Sequence, residues 1–369
     1  MKDVMLRIRD IVSYLNGIAP PEYQESYDNS GLLTGDREAE ARGALLTIDV
    51  TEEVVEEAVC LGVNLIVAHH PVIFRGLKKL TGDHAVERTV IAAIRNHIAL
   101  YAGHTNFDAI AGGVSTRMAE KLGLKNIRIL SPKQHALRKL VTFVPVAHLD
   151  QVRQAVFAAG AGTIGDYDEC SFNVTGEGTF RGSENTHPFV GIPGERHTEK
   201  EVRTETIFPA YLQSKIIQAL TEAHPYEEPA YDIYPLENEF PGAGTGVTGE
   251  LPEPVDEQDF LSKLKKVFGT ACIRHSPLLN KPVKTVALCG GTCSFLLREA
   301  IHAGASFFVS ADFKYHEFFD AEEKIVIADI GHFESEQFTT EIFYDLLSKK
   351  FPNFALHFSK VKTNPINYY

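Results

Sequence analysis

The chain has 369 residues, of which 44% are hydrophobic and 23% charged, a balance typical of a globular protein with two or three domains. The formal net charge of −13, from 36 basic and 49 acidic side chains, argues against broad nucleic-acid binding, because phosphate contacts require clustered Lys and Arg. No apolar stretch approaches the roughly 20 residues of a membrane span. The N-terminus lacks the apolar core of a signal peptide, so we expect a cytoplasmic protein without membrane contact.

The first 130 residues alternate short apolar segments with helical patterns, which is typical of an α/β sheet. Thr51 precedes two glutamates and is a suitable N-cap for the second predicted helix. We predict helices over residues 4–17, 51–61, 84–97 and 113–122, and strands over residues 43–50, 64–68 and 98–102.

The pattern changes near residue 131, where two successive βαβ patterns begin. They predict an inserted α+β domain of the ferredoxin-like type over residues 131–240. The segment 235–246 is rich in Gly and Pro, and we interpret it as the linker that returns to the first domain. Within the insert we predict strands over residues 138–144, 170–174, 202–208 and 230–235, and helices over residues 149–159 and 210–223.

The α/β pattern resumes at Lys284. Residues 1–130 and 241–369 are therefore predicted to form one split α/β domain with mixed sheets flanked by helices, interrupted by the insert at 131–240. In this last part we predict strands over residues 286–289, 307–309 and 325–330, and helices over residues 294–303 and 334–349.

The cysteines are five in number, and most lie in apolar surroundings. Cys289 and Cys293 stand four residues apart, which differs from the Cys-x-x-Cys spacing of redox and zinc motifs. We therefore expect no disulfide framework and interpret the cysteines as buried or incidental residues rather than as metal ligands.

Two adjacent histidines, His69 and His70, end the apolar run 65–68 and are followed by Pro71. The run predicts a buried strand, which the proline should terminate. Side chains alternate between the faces of a regular strand, so neighbouring histidines within one could not converge on a single ion. At the end of a strand they can converge, or each can hold one of two neighbouring ions.

Two further segments offer ligand side chains, and each follows a predicted strand. His104 and Asp108 are four residues apart, as are His332 and Glu336, and this spacing allows both members of a pair to face the same way on a helix. Glu334, two residues from each member of the second pair, should point elsewhere. His104 is interpreted either as a ligand or as a residue that orients one.

These clusters contain too many ligands for one open zinc site, and imidazole and carboxylate also suit iron and manganese. Shared between two ions, they would leave positions for water and substrate, with Asp108 or Glu336 as a bridging carboxylate. The predicted ligands are His69, His70, Asp108, His332 and Glu336.

Each of these residues also has a plain structural explanation. A single histidine at the end of a strand is more often a hydrogen-bonded structural residue than a ligand. Asp108 alone could be a helix N-cap, and Glu336 alone could be an acidic residue favoured in a first helical turn. The segment 290–292, Gly-Gly-Thr after a strand, is either a phosphate cradle at a helix N-terminus or a plain turn.

Five segments together resemble the dinuclear metal-centre proteins called GTP cyclohydrolase 1 type 2 homologues, the Nif-three-like family. They are residues 27–32 (YDNSGL), 68–71 (AHHP), 103–108 (GHTNFD), 310–316 (SADFKYH) and 331–336 (GHFESE). The resemblance places the family's metal ligands on the same five residues predicted above. It also marks Asp28, His104, Lys314 and His316 as candidates for supporting the ligands or for contacting substrate.

The resemblance further implies a ring-shaped homohexamer whose metal sites face an internal cavity. The insert is similar to the nitrogen-regulatory and copper-tolerance domains, notably at residues 162–167 and 224–229. Two departures from the family pattern are visible, Tyr27 in place of tryptophan and Ala311 in place of glycine, and neither affects a ligand.

Two functions remain open. The first is a metal-dependent hydrolase of a nucleotide or related small molecule, similar to a GTP cyclohydrolase, with two divalent ions per chain. Zinc is the first expectation for these ions, and iron or manganese are alternatives. The second is a non-catalytic, hexameric regulatory or scaffold protein that binds metal and whose insert senses a ligand or gates the cavity.

Overall fold

The computed structural model describes residues 5–369, which divide into two compact units. Of the described residues, the first unit comprises 5–132 and 241–369, and the second is Lys133–Phe240. Residue 4, the predicted start of the first helix, lies outside the described residues. Within residues 5–369, every helix is too short or too polar to cross a membrane.

Helices and strands are numbered along the whole chain. The α-helices of the described residues are α1 (Ile8–Ile18), α2 (Glu52–Leu61), α3 (Ala85–Arg95), α4 (Thr105–Ala109), α5 (Val114–Lys121), α6 (Leu149–Ala158), α7 (Gln213–Ala223), α8 (Glu257–Phe268), α9 (Leu297–His302), α10 (His332–Glu336) and α11 (Thr339–Lys350). The strands are β1 (Gly31–Thr34), β2 (Ala44–Thr47), β3 (Leu65–Ala68), β4 (Ala99–Ala102), β5 (Lys125–Lys133), β6 (Leu137–Pro145), β7 (Phe172–Phe180), β8 (His197–Pro209), β9 (Tyr231–Leu236), β10 (Phe240–Val255), β11 (Arg274–His275), β12 (Val283–Thr292), β13 (Phe307–Ala311), β14 (Val326–Asp329) and β15 (Leu356–Phe358).

The first unit contains two mixed sheets flanked by helices, so the predicted mixed α/β fold class is confirmed. One sheet has the order β1-β4-β3-β2-β15, in which only β1 runs antiparallel to its neighbour. The other has the order β11-β14-β13-β12-β10-β5, with β12, β13 and β14 mutually parallel. Parallel strands place their carboxyl ends at one edge of a sheet, and each of these two sheets therefore has such an edge.

The central strands form because short apolar runs can be buried on both faces of a parallel sheet. All four residues of β2, of β3 and of β4 are buried. Helix α1 covers one face of this sheet through Ile8, Ile11 and Leu15, which lie at helical spacing. Thr51 caps α2 as predicted, since its hydroxyl accepts the N–H of Val54 at 3.3 Å.

The predictions for two segments are wrong. The expected linker 235–246 is largely strand, because the long strand β10 already begins at Phe240. Its glycines serve close packing, and a Cβ at Gly244 would lie 2.3 Å from the carbonyl oxygen of Ser131. The expected single helix 334–349 is two helices, α10 and α11, and the Thr339 hydroxyl donates to the carbonyl of Glu336 at the break.

The second unit has its own core and the element order β6-α6-β7-β8-α7-β9. Its four strands form a sheet of order β7-β8-β6-β9, and every pair of neighbours is antiparallel. Apolar residues of α6 and α7, such as Val156 and Leu220, pack with Leu140 and Phe208 of the sheet. The helices α6 and α7 therefore cover one face of this sheet.

Candidate metal centre

The candidate ligands of the first unit gather where its parallel strands end. His69 and His70 follow β3, Asp108 lies in α4 after β4, and His332 and Glu336 begin and end α10 after β14. The carboxyl edges of both sheets therefore supply side chains to one place. Binding sites in α/β sheets commonly lie at this edge.

The two adjacent histidines both turn into this place because β3 ends before them. The backbone N–H groups of His69 and His70 still bind the carbonyls of Thr47 and Ile48, at 3.2 and 2.9 Å. Their ring centroids are 4.9 Å apart, and the ring of His104 lies 5.2 and 5.3 Å from them. The end of the strand thus allows the convergence that a regular strand would forbid.

Every imidazole of the cluster has its Nδ1 held by an oxygen, which leaves its Nε2 as the ligand atom. The Nδ1 partners are the carbonyl of Gly103 for His69 at 2.9 Å, Asp49 for His70 at 2.7 Å, Asp28 for His104 at 2.7 Å and Asp312 for His332 at 2.6 Å. Such anchoring fixes both the tautomer and the orientation of a ligating ring.

The Glu336 carboxylate is the centre of this arrangement. Its Oε2 lies 2.9 Å from Nε2 of His70, 3.1 Å from Nε2 of His332 and 3.6 Å from Nε2 of His69. The Oδ1 of Asp108 lies 3.9 Å from the same His69 nitrogen. Ligands bound to one ion through bonds of about 2.1 Å lie roughly 3.4 Å apart in a tetrahedron. The observed distances between these ligand atoms fit ions that the side chains hold jointly.

When the imidazoles are neutral and carry their proton on Nδ1, three buried atoms in the centre have no hydrogen-bond donor among the described residues: His69 Nε2, Asp108 Oδ1 and Glu336 Oε2. Buried acceptors that face one another without a donor are costly. A cation between them would satisfy all three, and nitrogen and carboxylate donors suit divalent transition metals. The residues present therefore fit a metal ion.

Three groups of side chains bring their ligand atoms close enough to hold an ion, and two of these groups share Glu336. The groups are His70, His332 and Glu336; His69, Asp108 and Glu336; and His69, His70 and His104, each with its ligand atoms within 4.8 Å of one another. His104 therefore joins the five predicted ligands in the cluster, held there by Asp28.

Without a metal ion, protons balance the charge around Glu336. Burial disfavours a charged His70, but the carboxylates of Asp49 and Glu336 outweigh it and raise the pKa of His70 to about 9. Asp312 and Glu336 similarly outweigh burial and raise the pKa of His332 to about 11. Burial would raise the pKa of Glu336, yet the histidines around it hold that pKa well below its usual range.

The pKa values of His69 and Asp108 shift the other way, toward the neutral form of each side chain. Burial lowers the pKa of His69, which favours the neutral imidazole that a metal requires. Burial, and then the nearby Glu336 carboxylate, raise the pKa of Asp108 well above its usual value. A bound cation would reverse this effect and keep Asp108 ionised.

Sequence reasoning missed Asp49, which follows β2. It binds Nδ1 of His70, and its other oxygen accepts the Thr363 hydroxyl at 2.7 Å, which ties the C-terminal segment to the centre. His70, and then Thr363, lower the pKa of Asp49 against the effect of its burial. Asp312, quoted above only as part of a motif, holds His332 in the same way after β13. A single aspartate after a strand is an ordinary turn residue, so the sequence carries no distinctive signal for either.

The Asp49→Ala substitution is expected to weaken metal binding about 10–100-fold, because loss of an orienting partner typically has this effect. Isothermal titration of the metal-depleted protein with Zn²⁺ measures the affinity. The Thr363→Val variant is the matched control, since it removes the bond from Thr363 to Asp49 and leaves His70 anchored. Equal affinity of Asp49→Ala and wild-type protein would show that the ring needs no orientation.

The remaining predicted residues fall into two sets. Asp28 is at the centre through His104, and Glu334 points away from it, accepting a hydrogen bond from Asn364 at 3.2 Å. Lys314 and His316 start a short helical turn on the surface, and His316 stacks against Phe319. These two residues do not line the described cavity beside the ligands. The N-cap reading of Asp108 is wrong, because Asp108 lies inside α4.

A cavity of about 490 Å³ opens beside the ligands. The exposed rings of Tyr27, Phe74 and Phe295 line it together with residues 289–293. Cys289 and Cys293 are buried there, in line with the interpretation as buried residues, and they are joined by a disulfide that was not predicted from the sequence. The other three cysteines are free.

The glycines between these cysteines make room for Glu336 rather than for a phosphate. The N–H groups of Gly290 and Gly291 donate to the hydroxyls of Ser115 and Ser335, at 3.3 and 2.9 Å, so neither is left for a phosphate. Gly291 has a φ of +68°, and a Cβ there would lie 2.3 Å from Oε1 of Glu336. The segment 290–292 is therefore a plain turn, and its glycine also leaves room for the side chain of Glu336.

Known proteins resemble the chain along nearly its whole length. The sequence matches the Duf34/NIF3 (NGG1p interacting factor 3) family over residues 6–365. A GTP cyclohydrolase 1 type 2 homolog of Halalkalibacterium halodurans is 42% identical over 307 residues, covering 83% of this chain and 82% of the relative. The homolog of Bacillus subtilis is 34% identical over 366 residues, 98% of each chain. The crystal structure of a Bacillus cereus protein related to NIF3 has a TM-score of 0.85, 37% identity, and coverage of 99% of this chain and 100% of that one.

Proposed function

The chain belongs to the Duf34/NIF3 family, and we propose that it holds two divalent ions and hydrolyses a nucleotide or a related small molecule. The observation that carries the proposal is the position of Glu336 in two ligand groups at once. One carboxylate shared by two sets of ligands is the arrangement of two-metal hydrolytic sites. A nucleotide substrate is suggested by the relatives' designation as homologs of GTP cyclohydrolase 1 type 2.

In the proposed assignment, His70, His332 and Glu336 hold one ion, and His69, Asp108 and Glu336 hold the other. Zinc is the proposed metal, with iron or manganese as alternatives. Two such ions, when bound, would supply Lewis acidity for activating water near neutral pH and for stabilising charge on a substrate oxygen.

The protein's own side chains have three tasks in this proposal. Asp49 and Asp312 keep the rings of His70 and His332 turned inward through their Nδ1 atoms. His104 belongs to neither Glu336 group. In this proposal its Nε2 accepts a proton from the attacking water, while Asp28 holds its Nδ1. The rings of Tyr27 and Phe74, 6.2 Å apart at the cavity, pack against a planar heterocycle.

The test begins with metal analysis of the purified protein by mass spectrometry, where about two ions per chain are expected. Metal-loaded protein is then incubated with a panel of nucleoside mono-, di- and triphosphates, and product formation is followed by liquid chromatography. Turnover should vanish in a variant carrying both His70→Ala and Glu336→Ala. It should persist in Glu334→Gln, which removes a neighbouring carboxylate that points away from the centre.

A metal-loaded protein that converts none of these compounds would contradict the proposed hydrolase and favour a non-catalytic regulatory or scaffold protein.

We also propose a homohexamer in the cytoplasm, supported by the family resemblance alone. Sedimentation at a mass near six times 40.8 kDa is expected, and a monomeric mass would refute the assembly.

A further inference from the structure

The second unit contains a cavity of about 700 Å³ that the proposed function leaves unused. Strand β7 forms one wall, residues 181–189 cover it, and residues 226–230 close one side. All of its lining residues lie between Phe143 and Ala230, within this single unit. Its size is in the range of pockets that bind small molecules.

A buried carboxylate faces this cavity. Glu201 of β8 is only 8% exposed, and its Oε1 accepts the hydroxyl of Tyr226 at 2.8 Å. Its Oε2 accepts no hydrogen bond from the described residues and is not fully enclosed by them. Gly178 makes room for the carboxylate, because a Cβ at this position would lie 2.1 Å from Oε2. A carboxylate oxygen that is open to a cavity can accept a charge-assisted hydrogen bond from a cationic ligand.

Aromatic rings surround the carboxylate. Tyr226 lies against Phe180, with ring centroids 5.9 Å apart, and against Phe189, at 6.3 Å. Phe189 is 52% exposed and lies on the covering segment 181–189, at the mouth of the cavity. Its contact with Tyr226 positions the ring there. Aromatic faces around an acidic group favour an organic cation, since the faces carry partial negative charge.

The charged residues of the lining favour a cation as well. Four of them are acidic: Glu177, Glu201, Glu227 and Glu228. Two are basic, Arg181 and Arg203, and the guanidinium of Arg203 is already paired with Glu205 at 2.9 Å. The balance disfavours phosphates and carboxylates as ligands.

We propose that this cavity binds a small organic cation, a protonated primary amine carried on an aromatic or apolar body. The ammonium group donates to Oε2 of Glu201, and the body packs against Phe180, Phe189 and Tyr226. This site is separate from the proposed hydrolytic function, and its occupancy is expected to be the same with and without metal.

The test titrates the full-length protein with phenethylamine at pH 7 by calorimetry, with 2-phenylethanol and phenylacetate as neutral and anionic counterparts. The amine should saturate with a Kd below about 1 mM. It should bind at least about tenfold more tightly than either counterpart, because hydrogen bonds to charged groups are stronger than neutral ones. Equal binding of the amine and the alcohol would overturn the proposal.

Variants locate the site. Glu201→Gln keeps the volume and an acceptor for Tyr226, and should weaken amine binding at least about tenfold. Glu222→Gln removes a carboxylate from α7, away from the cavity, and should leave binding unchanged. If Glu201→Gln fails to fold, as judged by circular dichroism, Phe189→Ala on the covering segment replaces it and should weaken binding several-fold. Unchanged affinity in the folded variant would refute the assignment.

Discussion

Metal binding is expected to fall at least about 100-fold when Glu336 is replaced by alanine. Residues that only orient a ligand contribute about 10–100-fold to metal affinity. Glu336 has an oxygen within 3.6 Å of three imidazole nitrogens and belongs to two of the ligand groups, so its removal affects both. The variant should be purified with almost no metal, and the content is measured by mass spectrometry after gel filtration.

Glu334→Gln provides the matched control for this prediction. It changes a carboxylate in the same short helix α10, two residues away, and its side chain binds Asn364 rather than the histidines. Its metal content should equal that of the wild type. If Glu336→Ala retains the wild-type metal content, Glu336 is not a ligand and the two-ion proposal fails with it.

The fold was predictable where burial leaves a simple pattern. The apolar runs of β2, β3 and β4 are buried on both faces, and turn residues bound them, so their positions were found within a few residues. The 16-residue strand β10 was missed because its glycines and prolines imitate a linker. Two of those glycines, Gly244 and Gly249, make room for the close approach of residues 124–132, a contact between segments more than 100 residues apart.

The candidate site was predictable in its ligand types but not in its supports. His69-His70 stands out in the sequence because adjacent histidines after an apolar run are unusual. Asp49 does not stand out, since a single aspartate after a strand is an ordinary turn residue. Its role depends on His70, 21 residues away, and on Thr363, 314 residues away, which only the folded chain brings together.

The disulfide illustrates the same limit. The spacing of Cys289 and Cys293 matches no standard motif, and their pairing follows from the path of the chain around Gly290 and Gly291. That path is set by two serine hydroxyls that accept from these glycines and by the carboxylate of Glu336. The segment is therefore shaped by contacts with distant residues rather than by its own sequence.

The clearance that Gly291 provides leads to a second large expected effect. Gly291→Ala should reduce metal binding to a level close to that of Glu336→Ala, because the new Cβ would lie 2.3 Å from Oε1 of Glu336. The carboxylate must then move away from the histidines. The left-handed backbone at φ +68° adds a strain of about 1–2 kcal/mol to the free energy of folding.

Gly304→Ala separates strain from collision. Gly304 has a φ of +70°, nearly that of Gly291, and no atom lies within 4 Å of a Cβ built there. Gly304→Ala should therefore lose about 1–2 kcal/mol of stability in urea unfolding of the metal-depleted protein, and Gly291→Ala should lose at least as much, because the collision adds to the strain. Only Gly291→Ala should lose its metal, because only there does the methyl group meet a ligand. Equal metal content in the two variants would mean that Glu336 can move without cost, and its position between the histidines would then not be what holds the ions.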